Sequence, residues 1–230
     1  MPLLFADLDN TLIDRDAAFR TAVTAFLAVH DQPRTDLAWV MEIDGSGHAP
    51  RDVVAAALTS RYPHLSPAIG TLLDNGGAEH ATLSVATENA LREARAAGWT
   101  CVIVTNGRTV QQEAKIYRTG LDRLVHGWVV SESAGHRKPD PQIFHLAADL
   151  ALRDVHSVRP VTSRSEWTSG DWLIGDSPQA DIAAAVTLGL PSVWIANGRR
   201  WPETAFHPTH ITPDVAAAIH HVIRSNSTHR

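Results

Sequence analysis

Leu3-Leu4-Phe5-Ala6-Asp7-Leu8-Asp9-Asn10-Thr11 opens with four apolar residues that run straight into two acids. A short apolar run without polar alternation is the pattern of a strand covered on both faces. The acids stand two residues apart, so in extended backbone their carboxylates point to the same side. At the end of a buried strand they repel each other and lose hydration, and they need a cation or a proton to be tolerated. In an open loop they would need neither, and this segment alone leaves that alternative standing.

Working outward, further β-rich runs occur at 101–105, 128–131, 172–174 and 193–196. Helical patterns lie between them at 88–97, 110–118, 141–150 and 181–188. Gly98, Gly120 and Gly189 stop three of these, and Pro141 opens another. Strands alternating with helices specify an α/β fold with a doubly wound parallel sheet.

Residues 15–85 break the rhythm. They hold helical patterns at 14–30, 35–43, 50–61 and 66–73, with Ser66-Pro67 as a cap and first-turn proline, and no strand. The loop Asp44-Gly45-Ser46-Gly47-His48-Ala49 divides them. An insert directly after the first strand sits over that strand's C-terminal end, where open α/β sheets bind ligands. The expected organisation is therefore a core of residues 1–14 and 86–230 with a helical cap at 15–85. Residues 153–170 are polar, fitting an ordered surface loop or a disordered insertion, and 213–223 read as a last helix.

The 230 residues suit one large domain or one domain with an insert. Twenty-five acidic against twenty basic residues give a charge of −5, the wrong sign for a nucleic-acid groove, so no nucleic-acid polymer is expected as a partner. A single cysteine rules out an internal disulfide framework and thiolate zinc clusters. Cys101 lies in an apolar run and is expected to be buried and inert. The first acid comes by position 7 with no basic leader before it, unlike a signal peptide. The apolar stretch 182–196 is shorter than a membrane span and is broken by Gly189 and Pro191. A soluble, cytoplasmic protein is expected.

Trp172-Leu173-Ile174-Gly175-Asp176-Ser177, followed by Asp181, brings more acids to another strand end. If the first and fourth strands are neighbours, Asp7, Asp9 and Asp176 converge. Three carboxylates without a thiol make a hard-oxygen site suited to Mg²⁺. Val104-Thr105-Asn106-Gly107 ends a second strand with a hydroxyl and free backbone N–H groups, and His136-Arg137-Lys138-Pro139 places a lysine just before a helix. An anion held by a hydroxyl, an ammonium and a metal is most simply a phosphoryl group.

Asp7-Leu8-Asp9-Asn10-Thr11, Val104-Thr105-Asn106-Gly107, Lys138-Pro139 and Gly175-Asp176 through Asp181 resemble the four ordered motifs of the haloacid dehalogenase-like (HAD) hydrolase superfamily. Thr119-Gly120-Leu121, residues 131–135 and Lys138-Pro139-Asp140-Pro141-Gln142-Ile143-Phe144 are similar to subfamily I members, whose phosphatases carry a helical C1 cap. The resemblance covers essentially the core. It implies a Rossmann-like core and a Mg²⁺-dependent phosphatase acting on a small-molecule phosphate monoester through an aspartyl-phosphate.

Position by position, the resemblance makes Asp7 the nucleophile and Asp9 the acid and base. Thr105, Asn106 and Lys138 bind phosphate. Asp7 and Asp176 hold the metal through their side chains and Asp9 through its backbone carbonyl. Asp181 stands in or just outside the metal shell. Where the motif often has Asn before this last acid, the chain has Ala180, which removes one hydrogen bond. Phosphomutase and a non-catalytic binding protein of the same fold are the alternatives. Dehalogenation fits poorly, because dehalogenases usually lack an acid at the position of Asp9.

His48 and Arg51 flank the end of the glycine-containing loop, either as lid contacts that select substrate or as a solvated helix entry. His207, His210, His220 and His221 lack the context of a zinc site and read as part of a solvated terminal helix. Arg199-Arg200-Trp201 reads as a surface turn, with an anion or base as its alternative contact.

Overall fold

The computed structural model describes residues 1–152, 167–168 and 170–227. The polar stretch 153–170 therefore lies outside the described residues, apart from 167–168 and 170. Six strands form one parallel sheet: β1 (Leu3–Ala6), β2 (Thr100–Thr105), β3 (Gly127–Val130), β4 (Trp172–Gly175), β5 (Ser192–Ile195) and β6 (His210–Thr212). Their order is β3-β2-β1-β4-β5-β6. Leu4 pairs with Cys101 on one side and Trp172 on the other, which makes β1 central. Connectivity reverses beside β1, and the crevice at the carboxyl ends of the strands opens there.

The helices are α1 (Arg15–Val29), α2 (Asp36–Asp44), α3 (Arg51–Arg61), α4 (Ser66–Asn75), α5 (Val85–Ala96), α6 (Thr109–Thr119), α7 (Ser131–Ala134), α8 (Pro141–Leu152), α9 (Ala183–Leu188) and α10 (Val215–Ser227). Alternate strand residues face opposite ways, and both faces are apolar. Leu4, Cys101, Ile103 and Ile174 pack with Leu91 of α5 and Ile219 of α10. Leu3, Phe5, Val102 and Leu173 pack with Ile143 and Phe144 of α8 and Ala184 of α9. Burial pushes the Cys101 thiol up to about 12, as an inert thiol requires.

β1 ends at Ala6, where the four apolar residues that specify it give way to Asp7. Asp7 still donates its N–H to the Ile174 carbonyl at 3.0 Å, and the chain then turns, with Thr11 and Ile13 both donating to the Leu8 carbonyl. Asn10 takes a positive φ of 55° there. Leu8 is fully buried from this turn, so its apolarity marks core packing and not strand. The helical pattern at 181–188 also begins earlier, as a π-helical turn over Pro178–Ile182 capped by the Ser177 side chain. The apolar runs of the sequence do not announce β6.

A separate apolar cluster lies wholly within α1–α4 and their connections. Phe19, Val23 and Leu27 meet Val40, Leu58, Ile69 and Leu72. Asp36 ties this cluster together: Arg61 donates to its two oxygens at 2.8 and 2.7 Å, and the Tyr62 hydroxyl donates to Oδ2. Arg15, at the start of α1, grips both oxygens of Asp44 where the glycine loop begins. Among the described residues, no helix is long and apolar enough to cross a membrane.

Candidate active site

The ends of β1, β2 and β4 and the loop before α8 meet around Asp7. Lys138 Nζ donates to Asp7 Oδ1 at 2.7 Å and to Asp181 Oδ1 at 2.7 Å. Asp7, Lys138, Asp176 and Asp181 are all buried. Asp181 Oδ2 accepts the Ser177 N–H at 3.0 Å. Gly175 makes room for this side chain, since a Cβ there would stand 2.2 Å from Asp181 Oδ2. Arg199 Nη2 donates to Asp176 Oδ2 at 2.9 Å.

Asp7, Asp176 and Asp181 each offer an oxygen within 4.8 Å of the others. Burial, reinforced by repulsion from Asp181 and Asp176, lifts Asp7 from 3.8 to about 8 against the pull of Lys138. Burial and then Asp181 lift Asp176 to about 7 against Arg199. Burial works against the Lys138 ammonium, but Asp181 and Asp7 prevail and hold it above its ordinary range. Three buried carboxylates so close together, with Lys138 and Arg199 as their two cationic partners, remain short of positive charge. The donor set, all hard oxygen, fits a divalent cation such as Mg²⁺.

Asp9 belongs to a neighbouring arrangement. Lys115 Nζ lies 2.8 Å from both of its oxygens, and Gln112 Nε2 lies 3.0 Å from Oδ2. Burial pushes the Asp9 carboxyl upward, but Lys115, followed by Arg15 and Gln112, outweighs it and holds the group below the usual carboxylate range. Strand geometry would aim Asp7 and Asp9 together. The turn after Ala6 instead gives Asp7 to the Lys138 cluster and Asp9 to Lys115. The acid that joins Asp7 and Asp176 most closely is Asp181.

Thr105 Oγ1, at the end of β2, accepts from Gln112 Nε2 at 2.7 Å. The Asn106 side chain accepts the Lys138 backbone N–H at 2.9 Å and donates to the Lys138 carbonyl at 3.1 Å. It fixes the segment carrying Lys138, which leaves its backbone for any contact with an anion. His48 and Arg51 line the same cleft of about 670 Å³ as Asp7, Asp9, Thr105 and Lys138. Arg51 Nη2 also donates to Asp74 at 2.6 Å.

Three residues of this site are absent from the strand-end reading. Lys115 and Gln112 sit inside α6, and Arg199 follows β5 in a segment that reads as a surface turn. Arg199 contacts Asp176 and lies over the Trp194 ring, its guanidinium carbon 5.4 Å from the centroid. The signal for Lys115 and Gln112 is their spacing of three beside Ile116, which places all three on one helix face.

The family model of haloacid dehalogenase-like hydrolases matches residues 1–158, and a HAD-hydrolase-like model matches 135–218. The chain belongs to the haloacid dehalogenase-like hydrolase family. This HAD protein is 33% identical over 102 residues to the pyrimidine 5′-nucleotidase YjjG of Escherichia coli, covering 44% of this chain and 40% of that one. It is 30% identical over 110 residues to a phosphoserine phosphatase of Thermus thermophilus, covering 48% and 39%. The chain thus spans about two fifths of the length of the curated relatives it matches. Among solved structures, the HAD-hydrolase YfnB of Bacillus subtilis, bound to magnesium, superposes with a TM-score of 0.72 at 21% identity, over 96% of this chain and 98% of that one. A subfamily IA HAD hydrolase of Geobacter sulfurreducens gives 0.68 at 15% identity, over 96% of each. These likenesses establish the fold.

Proposed function

We propose that the protein is a Mg²⁺-dependent phosphatase that hydrolyses a small-molecule phosphate monoester through an aspartyl-phosphate on Asp7. The observation that carries this reading is the bridge of Lys138 between Asp7 and Asp181 inside a buried group of three carboxylates. Curated relatives named as phosphatases or nucleotidases support the same chemistry. Residues 15–85 serve as the cap and the remainder as the core.

Asp7 and Asp176 would hold the cation with their side chains and Asp9 with its backbone carbonyl, and Asp181 would support the set through Lys138. A cation bound there supplies positive charge that offsets the repulsion between an anionic nucleophile and an anionic phosphate. Thr105, Lys138 and the backbone at Asn106 orient the phosphoryl oxygens. Asp7 attacks phosphorus, the bond to the ester oxygen breaks, and protonated Asp9 gives its proton to the departing alkoxide. Asp9, now ionised, takes a proton from water as that water attacks phosphorus. The bond to Asp7 breaks, and phosphate leaves.

Lys115 favours the ionised form of Asp9, which suits the water-activating half of the cycle. The first half requires that contact to loosen. Turnover of p-nitrophenyl phosphate with Mg²⁺ and then with EDTA tests the proposal. Release that stops with EDTA supports it, and inertness toward a broad phosphate panel points to a non-catalytic binding protein.

A further inference from the structure

We propose that Arg51 and Arg108 form a clamp for a second oxyanion, so that the natural substrate is a phosphate ester bearing a carboxylate or another phosphate at its far end. This inference rests on the phosphatase reading of the same cleft. Arg51 starts α3 on the cap side, whereas Arg108 immediately precedes α6 on the side of Thr105. Both guanidinium groups meet one oxygen of Asp74, Arg51 Nη2 at 2.6 Å and Arg108 Nη1 also in contact. Both arginines line the cleft of about 670 Å³ that holds Asp7 and Lys138, whereas Asp74 is not among its lining residues. Asp74 therefore orients two cations from outside the cleft without neutralising both.

The donors left over can serve a ligand. Among the described residues, Nε and Nη1 of Arg51 have no hydrogen-bond partner. Glu132 stands 4.0 Å from Arg108 Nε, and its other oxygen already accepts the Thr109 N–H at 2.8 Å. His48 and Arg137 also line this cleft. The single shared oxygen of Asp74 and the 4.0 Å separation from Glu132 leave guanidinium N–H groups unused at this end of the cleft. Arginine pairs of this kind recognise planar or tetrahedral oxyanions through paired N–H donors. The cleft is also large enough for a whole small molecule and not a phosphoryl group alone. A neutral sugar or alcohol tail would leave these donors without a charged acceptor.

The test uses matched probes that differ only in the second anion. They are 3-phosphoglycerate against glycerol 3-phosphate, and fructose 1,6-bisphosphate against fructose 6-phosphate. Binding is measured by calorimetry with Mg²⁺ on the Asp7→Asn protein, and kcat/KM on the protein with Asp7 intact. At least one doubly anionic probe should bind about tenfold more tightly than its partner, the effect of one charge-assisted hydrogen bond. Arg51→Ala or Arg108→Ala should bring that ratio close to one, and Arg51→Lys should keep part of it. The pair that shows the preference identifies the second anion as carboxylate or phosphate. Equal binding within both pairs, or a preference that survives both alanine variants, overturns the clamp. A preference in binding without any hydrolysis by the intact protein would uphold the clamp and overturn the phosphatase reading.

Discussion

Lys115 Nζ lies 2.8 Å from both carboxylate oxygens of Asp9, and its third neighbour is Gln112 Oε1, also at 2.8 Å. An ammonium that is almost fully buried is thereby satisfied by an acid on the loop after β1 and an amide on its own helix. The pairing holds Asp9 in one orientation and in its ionised form.

Replacing Lys115 with Met removes that control. Asp9 is expected to lose its depressed pKa, and kcat to fall by about a hundredfold, the low end of what acid–base catalysis contributes. Lys115→Arg, which retains the charge, should recover part of the loss. The pH dependence of kcat distinguishes this role from a purely structural one, because the acidic limb should move upward in Lys115→Met as the Asp9 pKa rises.

The three-carboxylate cluster predicts a pH-dependent response to Mg²⁺. Folding lifts Asp7 from 3.8 to about 8 and Asp176 to about 7, so the folded chain takes up protons that the unfolded chain releases. Stability from these groups is present below the unfolded value and is lost as pH rises through the folded ones. Cation-free protein should therefore weaken from about pH 4 to pH 8. Mg²⁺ requires the ionised forms, so its stabilising effect should be larger at pH 8.5 than at pH 6. At a hundredfold excess over Kd the gain is about 2.7 kcal/mol, or roughly 5–10 °C in Tm. Scanning calorimetry with Mg²⁺ or EDTA at the two pH values measures it, and an equal shift at both would contradict the cluster as the binding site.

Gly175 is expected to tolerate no side chain. The Cβ of Gly175→Ala would come within 2.6 Å of Asp181 Cβ as well as its carboxylate, so Asp181 would have to leave Lys138. Overpacking of this kind costs about 1–3 kcal/mol, and misplacing the nearby groups should lower kcat by about a hundredfold. Urea unfolding and steady-state kinetics on one variant test both numbers.

Much of this arrangement is legible from the apolar runs and the polar residues that end them. β1, β2 and β4 are buried on both faces, so their sequences are continuously apolar, and the chain turns polar where each strand reaches the cleft. β6 escapes that logic because His210 and Ile211 are exposed at the sheet edge and only Thr212 is buried. α6 misleads in a different way. Val110 and Tyr117 are exposed, whereas Gln112 and Lys115 face inward with Ile116. A stripe drawn through its apolar residues therefore points away from the site. Polar residues that are buried to serve Asp9 cannot be told from solvated ones by hydropathy. Arg199 is similar: a half-exposed arginine in a turn shows its contact with Asp176 only in three dimensions.

Arg15 ties the start of α1 to the glycine loop. It grips Asp44, whose Oδ2 also accepts the Gly47 N–H at 2.9 Å, and Ser46 donates to Asp16 at 2.6 Å. Gly47 has φ +80°, and a Cβ there would stand 3.2 Å from Arg15 Nε. Arg15→Met leaves Asp44 buried without its partner, a loss of about 3–5 kcal/mol. Chemical denaturation should show this as a lower midpoint with an unchanged slope. The freed loop carries His48, so KM should rise more than kcat falls.

The central claim is that Asp7 becomes covalently phosphorylated. Mixing the protein with Mg²⁺ and p-nitrophenyl phosphate, quenching in acid within the first turnover and mapping the peptides by mass spectrometry tests it directly. The peptide ending at Arg15 is expected to be heavier by one phosphoryl group at Asp7, and Asp7→Asn to abolish both the adduct and turnover. Release of p-nitrophenol by an Asp7→Asn protein, or a phosphoryl group on any other residue, would contradict it.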